Sequence, residues 1–207
     1  MKSNQTSKET KKMGFELNTL KVVRGTRRLV REKILQILVA HFISDISIEL
    51  LIDHIFNRDF IIDNEIDEAD KNFHISKNVI SLDEEQMANL TLDALIQWRD
   101  EDIEFGKNIM YFTIQNYNDF VDYIKEASEH WDFNRITVVD RVAIMIATAE
   151  FISAPDIPIK VSINEALELA KVYSTEKSPS FVNGMLEKIR LILEERNLIN
   201  KSERGLK

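Results

Sequence analysis

Residues 136–152 read ITVVDRVAIMIATAEFI, and this stretch decides the fold. Its apolar side chains recur at nearly every position instead of marking one face of a helix. A helix that is apolar all round is buried on all sides, so other helices must surround it. We therefore expect residues 136–152 to be the central helix of an all-α fold, ended by the prolines within residues 154–158.

Amphipathic patterns on either side predict the surrounding helices. A first helix is expected at residues 27–43 and a short second helix at residues 46–56. Residues 57–82 mix acids with isolated aromatics and lack helical spacing, so we expect an irregular or partly helical segment there. Helical spacing returns over residues 83–128. The apolar stripe of that stretch consists of Ile103, Met110, Ile114, Tyr117, Val121 and Ile124.

Length and composition are typical of one mostly helical domain. The chain has 207 residues, 44% of them hydrophobic, with five glycines and three prolines. We expect a flexible basic arm at residues 1–24 and a single helical domain at residues 25–207, which contains an acidic insertion at residues 57–99. The sequence contains neither a signal-peptide-like start nor an apolar run near the ~20 residues of a membrane span, so a cytoplasmic location is expected.

Several kinds of chemistry are disfavoured. The chain has no cysteine, which excludes disulfides, thiolate metal sites and cysteine nucleophiles. Its four histidines lack the spacing of a zinc motif or a catalytic triad. We therefore expect neither a metal nor another cofactor.

The net charge of −8 is unevenly distributed. Residues 1–34 contain ten lysines or arginines against three glutamates, which gives +7 and leaves −15 on the rest. A basic segment on an acidic chain suggests contact with an anion such as nucleic acid, although basic tails also serve solubility alone.

Three arginines begin the first helix, where their charge opposes the helix dipole by about 0.3–1 kcal/mol. Arg27 and Arg28 are three or four residues from Arg31, so all three can converge on neighbouring phosphates. The alternative is a solvated basic end that Glu32 partly neutralises. Charge alone does not separate the two interpretations.

The closing helices have recognisable start signals. Ser162 and Glu165 fit an S-x-x-E capping box, and Ser178 followed by Pro179 fits an N-cap with proline at the first helical position. The buried stripe of the last helix is predicted to be Val182, Met185, Leu186, Ile189 and Leu193.

The last helix contains a glycine, Gly184, that costs about 1 kcal/mol relative to alanine. Phe181 and Lys188 share its flank, and Lys177 precedes the helix. An aromatic ring, bare backbone and two cations suit a stacked base with its phosphate near a lysine. Alternatively, Phe181 packs at the core edge and Gly184 admits a neighbouring helix. These residues alone favour packing, because edge aromatics usually pack.

Three segments together resemble the NusB family of bacterial transcription antitermination factors. They are RRLVREKILQIL at residues 27–38, DRVAIMIATAEF at residues 140–151 after Trp131, and IPIKVSINEALELAKVYSTEKSPSFVNGMLEKI at residues 157–189. The third segment is the specific one, because it joins K-V-x-I-N-E-A-x-E-L-A-K to F-V-N-G at the family's spacing.

The resemblance implies an all-helical protein that binds boxA RNA of ribosomal RNA transcripts with the ribosomal protein NusE, within the RNA polymerase antitermination complex. It also implies an RNA surface and a contact with the protein partner. The partner contact maps onto Asp140. The RNA surface maps onto Arg27, Arg28, Arg31 and Phe181, with Lys177, Gly184 and Lys188 on the same flank as Phe181.

Departures from the family pattern leave alternatives open. Leu29, Met145 and Ser180 stand where basic residues are common in the family, and Val39 stands where an aromatic is common. A protein-interaction module that keeps the fold and has lost RNA binding is therefore the main alternative. NusB-like domains are also fused to RNA methyltransferases, but the chain contains no glycine-rich cofactor loop, which disfavours an enzyme.

Overall fold

The computed structural model describes residues 22–52, 95–128, 132–202 and 205. The expected arm, apart from its last three residues, lies outside the described residues. So do the irregular segment expected at residues 57–82 and Trp131.

Two short strands and seven α-helices make up the described chain. In order they are β1 (Val22–Arg24), α1 (Arg27–Ser44), α2 (Ile48–Ile52), β2 (Leu95–Gln97), α3 (Asp100–Gln115), α4 (Tyr117–Ala127), α5 (Val138–Ser153), α6 (Ile159–Tyr173) and α7 (Ser178–Glu195). A 3₁₀ turn, Phe133–Arg135, precedes α5. The all-α class expected from the sequence is confirmed.

The chain forms two compact units, and the described part of the first consists of β1 and β2. These strands pair in parallel, with Val23 opposite Ile96. The expectation of helix at residues 95–97 and of no strand was therefore wrong. Both strands are three residues long, too short for an alternating pattern to stand out in the sequence.

The second unit contains the helices, and α5 is its centre. Helix α5 packs against α1, α3, α6 and α7. Every residue from Val142 to Phe151 is buried, as expected for a helix that is apolar all round. The prediction of a central helix is confirmed.

The outer helices bury one face each. Helix α1 keeps the predicted start at Arg27, and the five residues predicted as the stripe of α7 are all buried. The helical pattern over residues 83–128 is divided at Asn116, which separates α3 from α4. No helix in the described part of the chain combines the length and apolar content needed to cross a membrane.

The start predicted at Ser162 was misplaced, whereas the start predicted at Ser178 is confirmed to within one residue, with proline in the first two helical positions. Helix α6 begins at Ile159 after Pro158, so Ser162 lies inside it and donates its hydroxyl hydrogen to Glu150 (2.6 Å) instead of forming a capping box. Helix α7 already includes Ser178, whose hydroxyl donates to Asp140 and accepts from the Thr175 amide.

Candidate nucleic-acid interface

Arg31 is buried in the middle of the helical unit. Its guanidinium donates two hydrogen bonds to the Glu150 carboxylate on α5, at 2.6 and 3.0 Å, and both side chains are at most 5% exposed. Ser162 on α6 donates a third hydrogen bond to the same carboxylate. This cluster ties α1, α5 and α6 together, and it leaves Arg31 only 4% exposed.

Arg27 lies between a carboxylate and an aromatic ring. Its Nε is 3.1 Å from Oδ1 of the fully buried Asp102, and its guanidinium stacks 4.4 Å from the centre of the Phe105 ring. Arg99 donates two further hydrogen bonds to Asp102, at 2.9 and 3.0 Å. The hydrogen bonds from Arg99 and the charge of Arg27 hold the pKa of Asp102 below its usual value, despite burial.

Arg28 forms an ion pair with a third carboxylate, that of Glu168. Its guanidinium is 2.7 Å from Glu168 on α6, and this ion pair is exposed on both sides. The three arginines therefore reach different carboxylates on different helices. Arg31 is the buried member of the three, and their convergence on neighbouring phosphates stays a prediction.

Phe181, on the first turn of α7, separates two hollows on the surface. One, the Lys177 groove, has a volume of about 630 Å³ and runs over the starts of α5 and α7. The other, the Gly184 cleft, has a volume of about 250 Å³ and lies between α7 and the end of α4. Phe181 and Ser180 line both hollows. The ring is half-buried and packs against the edge of the core.

The Lys177 groove contains the predicted partner residue, Asp140, at its floor. Asp140 is 4% exposed, and its Oδ2 accepts a hydrogen bond from Ser178 at 2.9 Å. Its Oδ1 is buried and has no hydrogen-bond partner among the described residues. Exposed Arg135 and Lys177 lie on the walls of the groove. Asp140 therefore links the starts of α5 and α7 beneath a basic rim.

The Gly184 cleft joins three of the predicted site residues. Gly184 is exposed, and a side chain built there would meet nothing within 4 Å. The alternative in which Gly184 admits a neighbouring helix is therefore wrong within the described structure. Lys188 borders the cleft and donates to the carbonyl of Ala127, the last residue of α4, at 3.1 Å.

Arg27 and the Phe181 surface lie at opposite ends of α5. Arg27 shares a third hollow, of about 610 Å³, with Ser153 at the end of α5, whereas Phe181 shares the Lys177 groove with Thr137 at its start. The 16 residues of α5 span about 24 Å. Helix α6 connects the two ends, because its Glu168 pairs with Arg28 and its last residue, Tyr173, contacts Glu32 on α1.

Sequence reasoning missed the acids that hold the arginines. Glu150 is a carboxylate near the end of a mostly apolar helix, and a buried charge requires a partner, so that position was a usable signal. Asp102 gave no such signal, because it stands among acids at the exposed start of α3. Within the described residues, no group of acidic or histidine side chains is arranged to bind a metal ion.

A family model described as the NusB family matches residues 72–190, more than half of the chain. The chain belongs to the NusB family. The matched region includes α3 to α5, α6 and the first two-thirds of α7, and therefore the whole Phe181 surface. It begins within the expected insertion, and the α1 arginines lie before it.

Curated NusB relatives match about half of the chain. "Transcription antitermination protein NusB" from Chloroherpeton thalassium is 41% identical over 103 residues, 50% of this chain and 49% of that protein. The protein of the same name from Salinibacter ruber is 35% identical over 103 residues, which is 64% of its length. The chain thus matches less than two-thirds of either NusB relative.

A solved NusB structure extends the likeness beyond the matched sequence. NusB from T. maritima is 28% identical, with a TM-score of 0.57, over 81% of this chain and 92% of that one. The NusB fold therefore accounts for most of the chain.

Proposed function

We propose that this NusB-family chain is a transcription antitermination factor that binds boxA RNA of ribosomal RNA transcripts together with the ribosomal protein NusE. Family membership supports the role, and both curated relatives carry the name of transcription antitermination protein. In this proposal the protein acts within the RNA polymerase antitermination complex and is not an enzyme.

The surface around Phe181 is the observation that carries the proposal. It combines a half-buried ring, a helix backbone left bare at Gly184, and the cations of Lys177 and Lys188 beside two hollows. Bases of single-stranded RNA stack on aromatic rings, and nearby cations hold their phosphates.

Arg28 is the second proposed contact. Its ion pair with Glu168 is exposed, so a phosphate can compete for it, whereas Arg27 is more firmly held by Asp102 and Phe105. Arg31 contributes indirectly to this proposed RNA surface, because its ion pair with Glu150 holds α1 against α5. RNA that contacts both Phe181 and Arg28 must span several nucleotides, which is a usual length for single-strand sites.

The neutralised arginines favour a second candidate, the NusB fold kept as a protein-interaction module without RNA binding. Each of the three α1 arginines already has an acidic partner. The start of α1 therefore carries less net positive charge than its sequence alone suggests. In this alternative Asp140 and the Lys177 groove bind the protein partner alone.

One titration separates the two candidates. We would measure the affinity of the full chain for boxA RNA across salt concentrations, with and without NusE. The proposed function requires affinity that falls as salt rises and that increases when NusE is present. RNA binding that stays undetectable with NusE, while NusE itself binds, would identify the interaction module.

A further inference from the structure

The third hollow lies between α3 and α6, at the end of α5 that is remote from Phe181. We call it the Val161 hollow, after an exposed residue that lines it, and its volume is about 610 Å³. Helices α3 and α6 both pack against α1 and α5, but they make few contacts or none with each other. The hollow is therefore an unfilled gap between two helices. Its volume lies in the range of about 300–1,000 Å³ that is usual for binding clefts.

Apolar side chains line the Val161 hollow and stay accessible to water. Val161 on α6 is 40% exposed, and Phe105, Ile157 and Pro158 are half-buried. Removing such apolar surface from water is favourable, and contiguous exposed apolar surface marks sites of interaction. The hollow therefore offers apolar contacts to another molecule.

The charge that the Val161 hollow presents is negative. The two arginines that line it are already paired with Asp102 and Glu150, neither of which lines the hollow. Exposed Glu101 and Glu104 on α3 also line it, as does Asp156 in the loop before α6. Carboxylates repel phosphates and attract lysine and arginine, so the hollow is complementary to a basic segment of protein and not to RNA.

Both sides of the Val161 hollow are held in place by contacts within the chain. On the α3 side, the Arg27 guanidinium stacks 4.4 Å from the centre of the Phe105 ring. On the side of the loop before α6, the Lys201 ammonium donates to the carbonyl of Ala154 at 2.9 Å. The amide of the next residue donates to the carbonyl of Pro155 at 3.1 Å. The hollow is therefore formed before a ligand arrives, which lowers the ordering cost of binding.

We propose that the Val161 hollow is a second protein-binding surface, which takes a basic amphipathic helix of a partner protein into the gap between α3 and α6. Apolar side chains of that helix contact Val161 and Phe105, and its lysines or arginines pair with Glu101 and Glu104. The surface lies at the opposite end of α5 from the Lys177 groove assigned to NusE. It goes beyond the proposed function and does not depend on RNA binding.

Synthetic peptides test the surface directly. The probe is a peptide of about 15 residues with leucine at every third or fourth position and lysine elsewhere, which is the pattern of a basic amphipathic helix. Fluorescence anisotropy measures its affinity for the full chain. One control peptide has glutamate in place of lysine, and the other has serine in place of leucine. Each control should bind at least about tenfold more weakly, because the first loses the charge complementarity and the second the apolar contact.

Matched variants of the full chain locate the bound peptide. Val161→Gln makes the hollow more polar, whereas Val172→Gln makes the same change at an exposed position of α6 that lines none of the three hollows. Val161→Gln should weaken binding of the lysine–leucine peptide at least about fivefold, while Val172→Gln should stay within about twofold. Glu104→Gln should weaken it more than Glu195→Gln, which removes an exposed charge on α7 outside the hollows. All four positions are exposed, so melting temperatures should change little.

The outcomes separate this inference from its alternatives. If the lysine–leucine peptide does not bind, or binds all variants equally, the inference is wrong. If Val161→Gln weakens the binding of boxA RNA or of NusE and leaves peptide binding unchanged, the hollow belongs to those ligands, which also overturns the inference. Light scattering that shows a dimer of the natural chain and a monomer of Val161→Gln would assign the hollow to a second copy of the chain instead. Absence of RNA binding with NusE present overturns the proposed function and leaves this inference standing.

Discussion

Charged residues carry two different roles that the sequence alone does not distinguish. Arg28 and Arg31 are three residues apart on α1, yet one is exposed beside Glu168 and the other is buried against Glu150. A buried ion pair is costly to desolvate, so removing one partner leaves an uncompensated charge in the core. An exposed pair contributes about 0–1 kcal/mol and is easily exchanged for another partner.

Arg31→Ala should therefore change the stability of the fold, whereas Arg28→Ala should change RNA binding. Arg31→Ala should lower the free energy of unfolding by about 3–5 kcal/mol, because Glu150 loses its guanidinium. Arg28→Ala should leave stability within about 1 kcal/mol and lower the salt slope of RNA binding by about one. Urea denaturation and a salt titration measure the two quantities. An Arg31→Ala variant as stable as the natural chain would contradict the structural role of the buried pair.

Phe181→Ala separates stacking from packing. Loss of one base–aromatic stack should weaken RNA binding by about 1–3 kcal/mol. Because the ring is half-buried at the core edge, the loss of stability should be smaller than the ~3–5 kcal/mol of a fully buried phenylalanine. The measurements are RNA titration and thermal unfolding. A variant that melts much earlier yet binds RNA normally while folded would assign Phe181 to packing alone.

At the scale of helices and strands, the sequence predicts what depends on local pattern. The bounds of α1 and α5 and the buried stripe of α7 follow from apolar spacing within each helix. The strands could not be predicted this way, because β1 pairs with a segment far away in sequence. Ser162 was misassigned for the same kind of reason, since its hydroxyl is taken by Glu150 on another helix.

In the candidate site, too, the features that depend on local sequence were predictable and those that depend on distant residues were not. The residue types around Phe181 and Gly184 were visible in the sequence, and the structure places them at two adjoining hollows. The grouping of the α1 arginines was not predictable, because it depends on carboxylates contributed by α3, α5 and α6. Local spacing fixes which face of a helix a side chain is on, but not which distant acid it meets.

Lys201 links the C-terminal segment to the end of α5, and this link should depend on pH. Its ammonium donates to the carbonyls of Glu150 and Ala154, at 2.8 and 2.9 Å. Burial lowers the pKa of Lys201 from its usual 10.5 to about 8, although the charge of Glu150 acts in the opposite direction. Between pH 8 and 10.5 the unfolded chain therefore binds more protons, so stability should rise with pH there.

Lys201→Met provides the comparison for this prediction. The free energy of unfolding of the natural chain minus that of Lys201→Met should increase from pH 8 to pH 10 and should be flat below pH 7.5, where both states are protonated. Urea denaturation at a series of pH values measures it. A difference that falls with pH would mean that the carbonyl bonds favour the charged form more than burial opposes it.

Asp140 connects the starts of α5 and α7, which changes how its proposed role in partner binding should be tested. Asp140→Lys would place an ammonium group where the structure has a buried carboxylate that accepts a hydrogen bond from Ser178, so it would disturb the fold. Asp140→Asn keeps the shape. It should weaken NusE binding in calorimetry while circular dichroism stays helical and RNA binding without NusE changes little. Unchanged affinity for NusE would remove Asp140 from the partner contact.

At the scale of the whole molecule, charge opposes RNA binding by this chain alone. The net charge is −8, and the cations near the proposed site are few and partly paired. Long-range repulsion from the acidic remainder should therefore limit affinity for RNA. A protein partner that binds RNA at the same time offers a second set of contacts.

NusE and boxA RNA should consequently strengthen each other's binding to this protein. Thermodynamic linkage requires the factor by which NusE raises affinity for RNA to equal the factor by which RNA raises affinity for NusE, and couplings of about 5–150-fold are typical. Calorimetry of each binary and ternary step measures both factors. Phe181→Ala should weaken the RNA step without NusE, and Asp140→Asn the NusE step without RNA, which assigns each surface to its ligand. If NusE leaves RNA affinity unchanged at every salt concentration, the two ligands bind independently and cooperation at this surface is wrong.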